Sequence, residues 1–193
     1  PTSAEGLKAI FAQVFIGVLM GLLLQIVNAA LIIGGQAVSA SMGLSMANMV
    51  DPSMGNVPVI AQFFVICSTL IFLGLGGHVL VISLLLESFM LVPIGSVIEL
   101  QQLLELTIEW SAMMFLGAIL IGLPLMASLL FINIGLGIIT RAAPALNIFA
   151  VGFPAMILAG IVLLSLSMTS IGYRIQWLWQ ESFEIIGQAL GIR

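Results

Sequence analysis

The sequence has 193 residues, of which 62% are hydrophobic and only 6% charged, with a formal net charge of −4. A soluble domain carries about 25% charged residues, so this composition excludes an ordinary soluble protein and defines an integral membrane protein. With only 4 Lys and Arg there is no basic patch, which argues against a nucleic-acid partner.

The chain begins PTSAEG, without Met and without the basic, apolar and small-residue pattern of a signal peptide. We expect a native segment upstream of this start. Charge is then absent from 9–50, 52–86, 110–140 and 142–173. Each stretch holds at least the roughly 20 residues that a spanning helix requires. The pattern predicts helices over 7–33, 58–88, 109–139 and 146–171. The first stretch is too long for one straight helix, and Gly34 and Gly35 are expected to break or kink it. A second helical piece, 36–50, would follow. Its Ser39, Ser41, Ser45 and Asn48 would face protein or water rather than lipid.

That piece leads into Asp51, Pro52, Ser53, Met54, Gly55, Asn56, Val57 and Pro58. Proline lacks a backbone donor and pushes the residue before it out of the helical region, so an irregular polar loop is expected here. At membrane depth such backbone is tolerated only where it is buried in protein or lines a watery cavity. The loop therefore reads as an element inside a pathway. Met42, Met46, Met49 and Met54 surround it. Methionine is flexible and polarizable enough to close around varied shapes, and hydrophobic constrictions gate by dewetting. Ordinary helix packing at spacings of four and three is the competing account of Met42, Met46 and Met49.

The lone Cys67 excludes an internal disulfide, and an apolar run favours a buried, inert thiol. His78 has no His or Cys partner to make a metal site. Glu87 follows nine residues later on a similar helix face. The pair suits a polar subunit contact better than a proton relay. Pro93 and Gly95 make a turn, after which Glu99, Gln101, Gln102, Glu105 and Glu109 alternate with leucines and isoleucines. This predicts a short amphipathic helix across 91–109 with a solvated face. Arg141 is the one charge between Glu109 and Arg174, with Asn133 before it and Pro144, Asn147 and Pro154 after it. An ionisable residue in an apolar sequence is a site candidate, although the prolines favour a loop arginine snorkelling to headgroups. The tail, 173–193, sets Tyr173, Trp177 and Trp179 beside Arg174 as an interfacial anchor. Ile175, Leu178, Phe183, Ile186 and Leu190 form an apolar stripe there. With four spans both ends share one side, and Lys8, Arg174 and Arg193 would make it cytoplasmic, with Arg141 opposite. No repeat of fixed period, phosphate loop or Ser-His-Asp set occurs, so neither a cofactor nor a metal is expected.

RAAPALNIFAVGFP at 141–154 closely resembles the signature of the flagellar biosynthetic protein FliR family, the single-copy membrane component of the type III export gate. GLSMANMVDPSMGNVPVIAQFF at 43–64, GHVLVISLLLESFMLVPIG at 77–95 and GLPLMASLLFINIGLGIITRAAP at 122–144 are similar to that family's segments in the same order. Two positions depart from it. Gly76, Gly77 and His78 stand where the family usually has Asn-Gly-His, and Ala145 where it usually has Gln. The family is also longer at its N-terminus by an apolar segment. Gly152-Phe153-Pro154 favours the flagellar branch over injectisome relatives.

The resemblance implies an all-α membrane protein of tilted helical hairpins packed in a hetero-oligomeric export gate. FliP and FliQ would share that assembly and FlhB would associate with it. Unfolded flagellar export substrates would pass through its centre, in the bacterial inner membrane at the basal body. It further implies that the loop matching Asp51–Pro58 plugs the channel. Residues 1–193 would form a single helical membrane domain. The rival expectation is a secondary transporter with broken helices around a small-molecule site, using Asp51, His78, Glu87 and Arg141. The lack of internal symmetry weighs against it.

Overall fold

Helix α1 runs unbroken from Ala4 to Ser41, straight through the glycine pair at which the sequence predicts a break. A computed structural model describes residues 4–44, 58–91, 93, 100–142 and 152–191. Besides α1 it contains α2 (Val59–Gly74), α3 (Gly77–Leu91), α4 (Leu100–Ala142) and α5 (Phe153–Ala189), and no strand occurs among the described residues. The protein is an all-α membrane protein. Three of these helices are long and apolar enough to cross a bilayer, or four if α2 and α3 count as one bent span.

Three boundaries differ from the sequence expectation, each for a local reason. Gly34 and Gly35 do not end α1 because their missing side chains serve close approach. A Cβ on Gly35 would stand 2.5 Å from the Cα of Ala61 on α2, and one on Gly34 would stand 3.1 Å from the carbonyl oxygen of Ala118 on α4. The single helix expected over 58–88 is instead bent by 66° between α2 and α3. Gly76 turns it with a φ of +72°, a left-handed conformation that favours glycine. A Cβ on Gly77 would stand 2.5 Å from the ring of Phe72, so the return of the chain also requires a bare backbone. Finally, the amphipathic segment is no separate helix: residues 100–109 are the first turns of α4, which is 43 residues long in all. Pro124 sits inside α4 without ending it.

The chain divides into two compact units. The first comprises Pro1–Ala30, Ser68–Leu116 and Ile175–Arg193, and the second Leu31–Cys67 and Gly117–Arg174. In the first, α1 buries Ile16, Leu19, Met20, Leu23 and Val27, the three-and-four spacing of a helix face. Opposite ends of the sequence meet there. The indole N–H of Trp110 donates to the carbonyl of Leu23 at 3.1 Å, and that of Trp179 donates to the buried hydroxyl of Ser68 at 2.8 Å. Trp179 also packs on Phe72 with ring centroids 4.6 Å apart. The sequence reading makes Trp179 an interfacial anchor, but it is buried; Tyr173 (70% exposed) and Trp177 (37%) are the ones that face outward. The apolar stripe of the tail belongs to α5 itself, with Ile175, Leu178, Ile186 and Leu190 all buried. The second unit is packed by Leu31, Val38, Met42, Ala61, Phe64, Ile121, Leu125 and Leu129.

These contacts define two tests. Gly35→Ala drives a methyl group into the α2 backbone and should lower stability by about 1–3 kcal/mol or more. Gly17→Ala, where a Cβ meets nothing within 4 Å, should be neutral or gain up to about 1 kcal/mol. Thermal unfolding of both variants in detergent separates close approach from mere helix propensity. Trp179→Phe strands the Ser68 hydroxyl and should cost about 1–3 kcal/mol. Adding Ser68→Ala should recover part of that loss, measured by the same unfolding transition.

Candidate functional site

The candidate site is the segment between α1 and α2, and what the structure describes is how its two roots are held. At the first root α1 ends on a glycine cap. The amide of Met42 donates to Val38, that of Gly43 donates to Ala40, each at 3.0 Å, and Gly43 takes a φ of +81°. A left-handed glycine just past the last helical turn is a common stop, since it satisfies orphan carbonyls without a Cβ penalty. The Ser41 hydroxyl adds a bond of 2.9 Å to the carbonyl of Ala37.

The cap is packed from the side. Met42 is 1% exposed. Its side chain lies against Gly160 of α5, where an added Cβ would come within 2.4 Å of the thioether methyl. A Cβ on Gly43 would lie 3.4 Å from the ring of Phe153. Phe153 opens α5 and belongs to the Arg-containing stretch singled out in the sequence. The two informative stretches therefore meet inside the second unit.

At the second root, Pro58 accepts the amide of Gln62 at 2.9 Å and so starts α2. Proline is preorganised for such a position, where no backbone donor is needed. One turn later Ala61 is pressed against Gly35, and Phe64 is fully buried. Both roots are thus fixed to α1 within one packed unit.

The remaining predicted residues divide as follows. Asp51, Pro52, Ser53, Met54, Gly55, Asn56 and Val57 lie outside the described residues, as do Met46, Met49, Pro144 and Asn147. Met42 is a packed core side chain. His78 and Glu87 are both exposed on α3. Asn133 and Arg141 are exposed on α4, with Arg141 in its last turn, where a cation complements the helix dipole. Pro154 is exposed at the second position of α5. Among the described residues, no three His, Cys, Asp or Glu side chains come together as metal ligands would. Sequence reasoning misses Gly160 altogether, the close contact of Gly35, which it takes for a break, and the packing of Phe153. The signal for the first two is a glycine in an apolar helix, which gives the presence of a close contact but not its partner.

Apolar helices of this length, some close-packed through glycine, form a membrane-embedded helical subunit. Residues 2–182 match the family described as bacterial export proteins, family 1. The chain is 34% identical to the flagellar biosynthetic protein FliR of Pectobacterium carotovorum subsp. carotovorum over 97% of its own length and 72% of the relative's. With that of Escherichia coli (strain K12) the identity is 35%, over 92% of this chain and 69% of the relative. With that of Aquifex aeolicus (strain VF5) it is 31%, over 95% and 71%. The chain belongs to this FliR family of bacterial export proteins and is a component of the flagellar export apparatus.

Gly43→Ala should cost about 1–2 kcal/mol, the usual penalty of a left-handed conformation for an L residue. The expected outcome is faster limited proteolysis within 45–57, because the cap that fixes the first root is strained.

Proposed function

We propose that the chain is a pore-side subunit of the export gate and that the loop Asp51–Pro58 is the stopper of its channel. The observation that carries this reading is the anchoring of both roots. Gly43 is capped and packed at Phe153. Pro58 leads within one turn to Ala61 against Gly35. A stopper needs fixed ends and an adaptable middle. The middle supplies Met46, Met49 and Met54 with Gly55 and Asn56, residues suited to a closure that must fit any unfolded segment. In this reading Met42 holds the hinge side of the closure, and the connection from Arg141 at the end of one helix to Pro154 at the start of the next supports the first root.

The partners of this reading are FliP and FliQ in one hetero-oligomer, FlhB beside it, and unfolded flagellar substrates passing through, in the bacterial inner membrane at the flagellar basal body. The reach of exposed apolar surface supports protein partners. On α4, large apolar side chains are exposed from Leu104 to Ile139, which at about 1.5 Å per residue covers about 53 Å. The bilayer core is about 30 Å thick. In this reading the chain is not an enzyme, and export energy comes from partners. The transporter alternative draws no support from His78, Glu87 and Arg141, which are exposed.

Deleting Met54–Val57 should leave the assembled complex intact and make the membrane leaky to ions, read as conductance of reconstituted complex. Unchanged conductance with normal assembly would overturn the stopper.

A further inference from the structure

The first unit carries a groove that the stopper reading leaves unused. It has a volume of about 280 Å³ and runs between α4, with Glu109, Trp110 and Met113, and α5, with Glu181, Ile185 and Gln188. Leu106 and Leu116 close its two ends on the α4 side. The α4 positions 106, 109, 110, 113 and 116 repeat at three and four, as do 181, 185 and 188 on α5. This is the spacing of two helix faces, and it gives a trough about 15 Å long at about 1.5 Å per residue. Small-molecule pockets start at roughly 300 Å³ and bury most of their ligand. This groove is smaller and open along its length, with Glu109, Ala112 and Gln188 exposed. It suits the side chains of one neighbouring helix.

The charge on the groove is unbalanced. Among the described residues neither Glu109 nor Glu181 has an ion pair or a hydrogen-bond partner, and the one cation described in the first unit, Lys8, has no ion pair. Glu109 is exposed and Glu181 half-buried, and both stand beside the apolar side chains of the groove with no described cation to balance them. We infer that this groove docks a cationic amphipathic helix of another subunit of the export apparatus, with an arginine or lysine side chain between Glu109 and Glu181 and an apolar residue on Trp110, Met113 and Ile185. An anionic phospholipid fits less well, because its phosphate would meet two carboxylates and no cation. The recognition is of the helix-in-groove kind, with apolar anchors and a charge that sets register. The inference rests on the hetero-oligomer part of the reading above, not on the stopper.

The test places a photo-crosslinking amino acid at Ala112, an exposed groove position, in the full chain within the purified export complex. Cross-linked peptides are mapped by mass spectrometry. The expected adduct lies within one helical turn of a Lys or Arg in another subunit. Its yield should fall about fivefold or more in the Glu109→Gln, Glu181→Gln double variant and be retained in the Glu→Asp pair. Should the Gln variant fail to assemble, the wild-type complex gives the same reading, with yield falling as salt rises from about 0.1 M to about 1 M. An adduct with lipid alone, with a second copy of this chain, or with a segment lacking a cation would overturn the proposal. So would a yield indifferent to both charge removal and salt. If the wild-type chain purifies without other subunits, the hetero-oligomer reading fails instead.

Discussion

The second unit depends on a backbone contact that only a hydrogen atom can occupy. Gly35 and Ala61 approach so closely that a methyl group on the glycine would stand 2.5 Å from the opposing Cα. On the adjacent residue Gly34 meets Ala118, and Gly122 in turn lies against Gly34. The glycine pair therefore serves as a double platform, with α2 on one residue and α4 on the next. In a bilayer apolar surface has little to gain from leaving lipid, so helices associate through close van der Waals packing, and small residues are what allow it. The loop roots inherit their position from this contact, because Pro58 lies one turn before Ala61 and Gly43 two turns beyond Gly35.

The first unit is held differently. Two indoles reach across the fold, Trp110 to the Leu23 carbonyl and Trp179 to the Ser68 hydroxyl. A buried N–H without a partner costs about 1–3 kcal/mol, so each indole can be buried only where an acceptor is aimed at it. Ser68 lies two turns before the bend at Gly76, and Phe72, between them, packs at a tilt against Trp179 and restricts Gly77. The bend, the aromatic cluster and the end of α5 are therefore one construction. A large side chain at Gly77 would disturb all three.

Much of this was legible in the residues. Composition marks an integral membrane protein, the charge-free stretches mark its long helices, and the family resemblance supplies the all-α architecture. Other features were hidden for physical reasons. Gly34 and Gly35 look like a break because low helix propensity is a local quantity, while the packing that outweighs it comes from Ala61 and Ala118, far away in sequence. The bend at Gly76 was missed because glycines in an apolar run look the same whether they pack or turn. The start of α4 was misread because the change from amphipathic to apolar composition near Glu109 marks a change of surroundings, and the backbone hydrogen bonds continue through it. Trp179 looks interfacial in the sequence because an indole suits both a headgroup and a buried acceptor, and only the fold supplies Ser68. Residues 51–57, the best-marked loop in the sequence, lie outside the described residues, so their reading stays a proposal built on the two roots.

Helix length narrows what can surround this chain. The 43 residues of α4 extend about 65 Å at about 1.5 Å per residue, against a hydrocarbon core of about 30 Å. Polar residues at the ends do not absorb the excess, because the exposed apolar side chains alone run from Leu104 to Ile139. Fitting that stretch of about 53 Å into about 30 Å of hydrocarbon by tilting would need an angle near 55°, beyond the roughly 0–40° range of membrane helices. Lipid alone therefore does not cover α4 at ordinary tilt, and apolar surface left in water would drive association. In the hetero-oligomer reading proposed above, protein covers the remainder. The groove that holds Glu109 and Glu181 lies on the first turns of the same helix, where Ile108 and Leu116 are exposed beside it. In that reading the apolar cover and the counter-charge to Glu109 fall on one stretch of α4, so a single neighbouring helix would supply both.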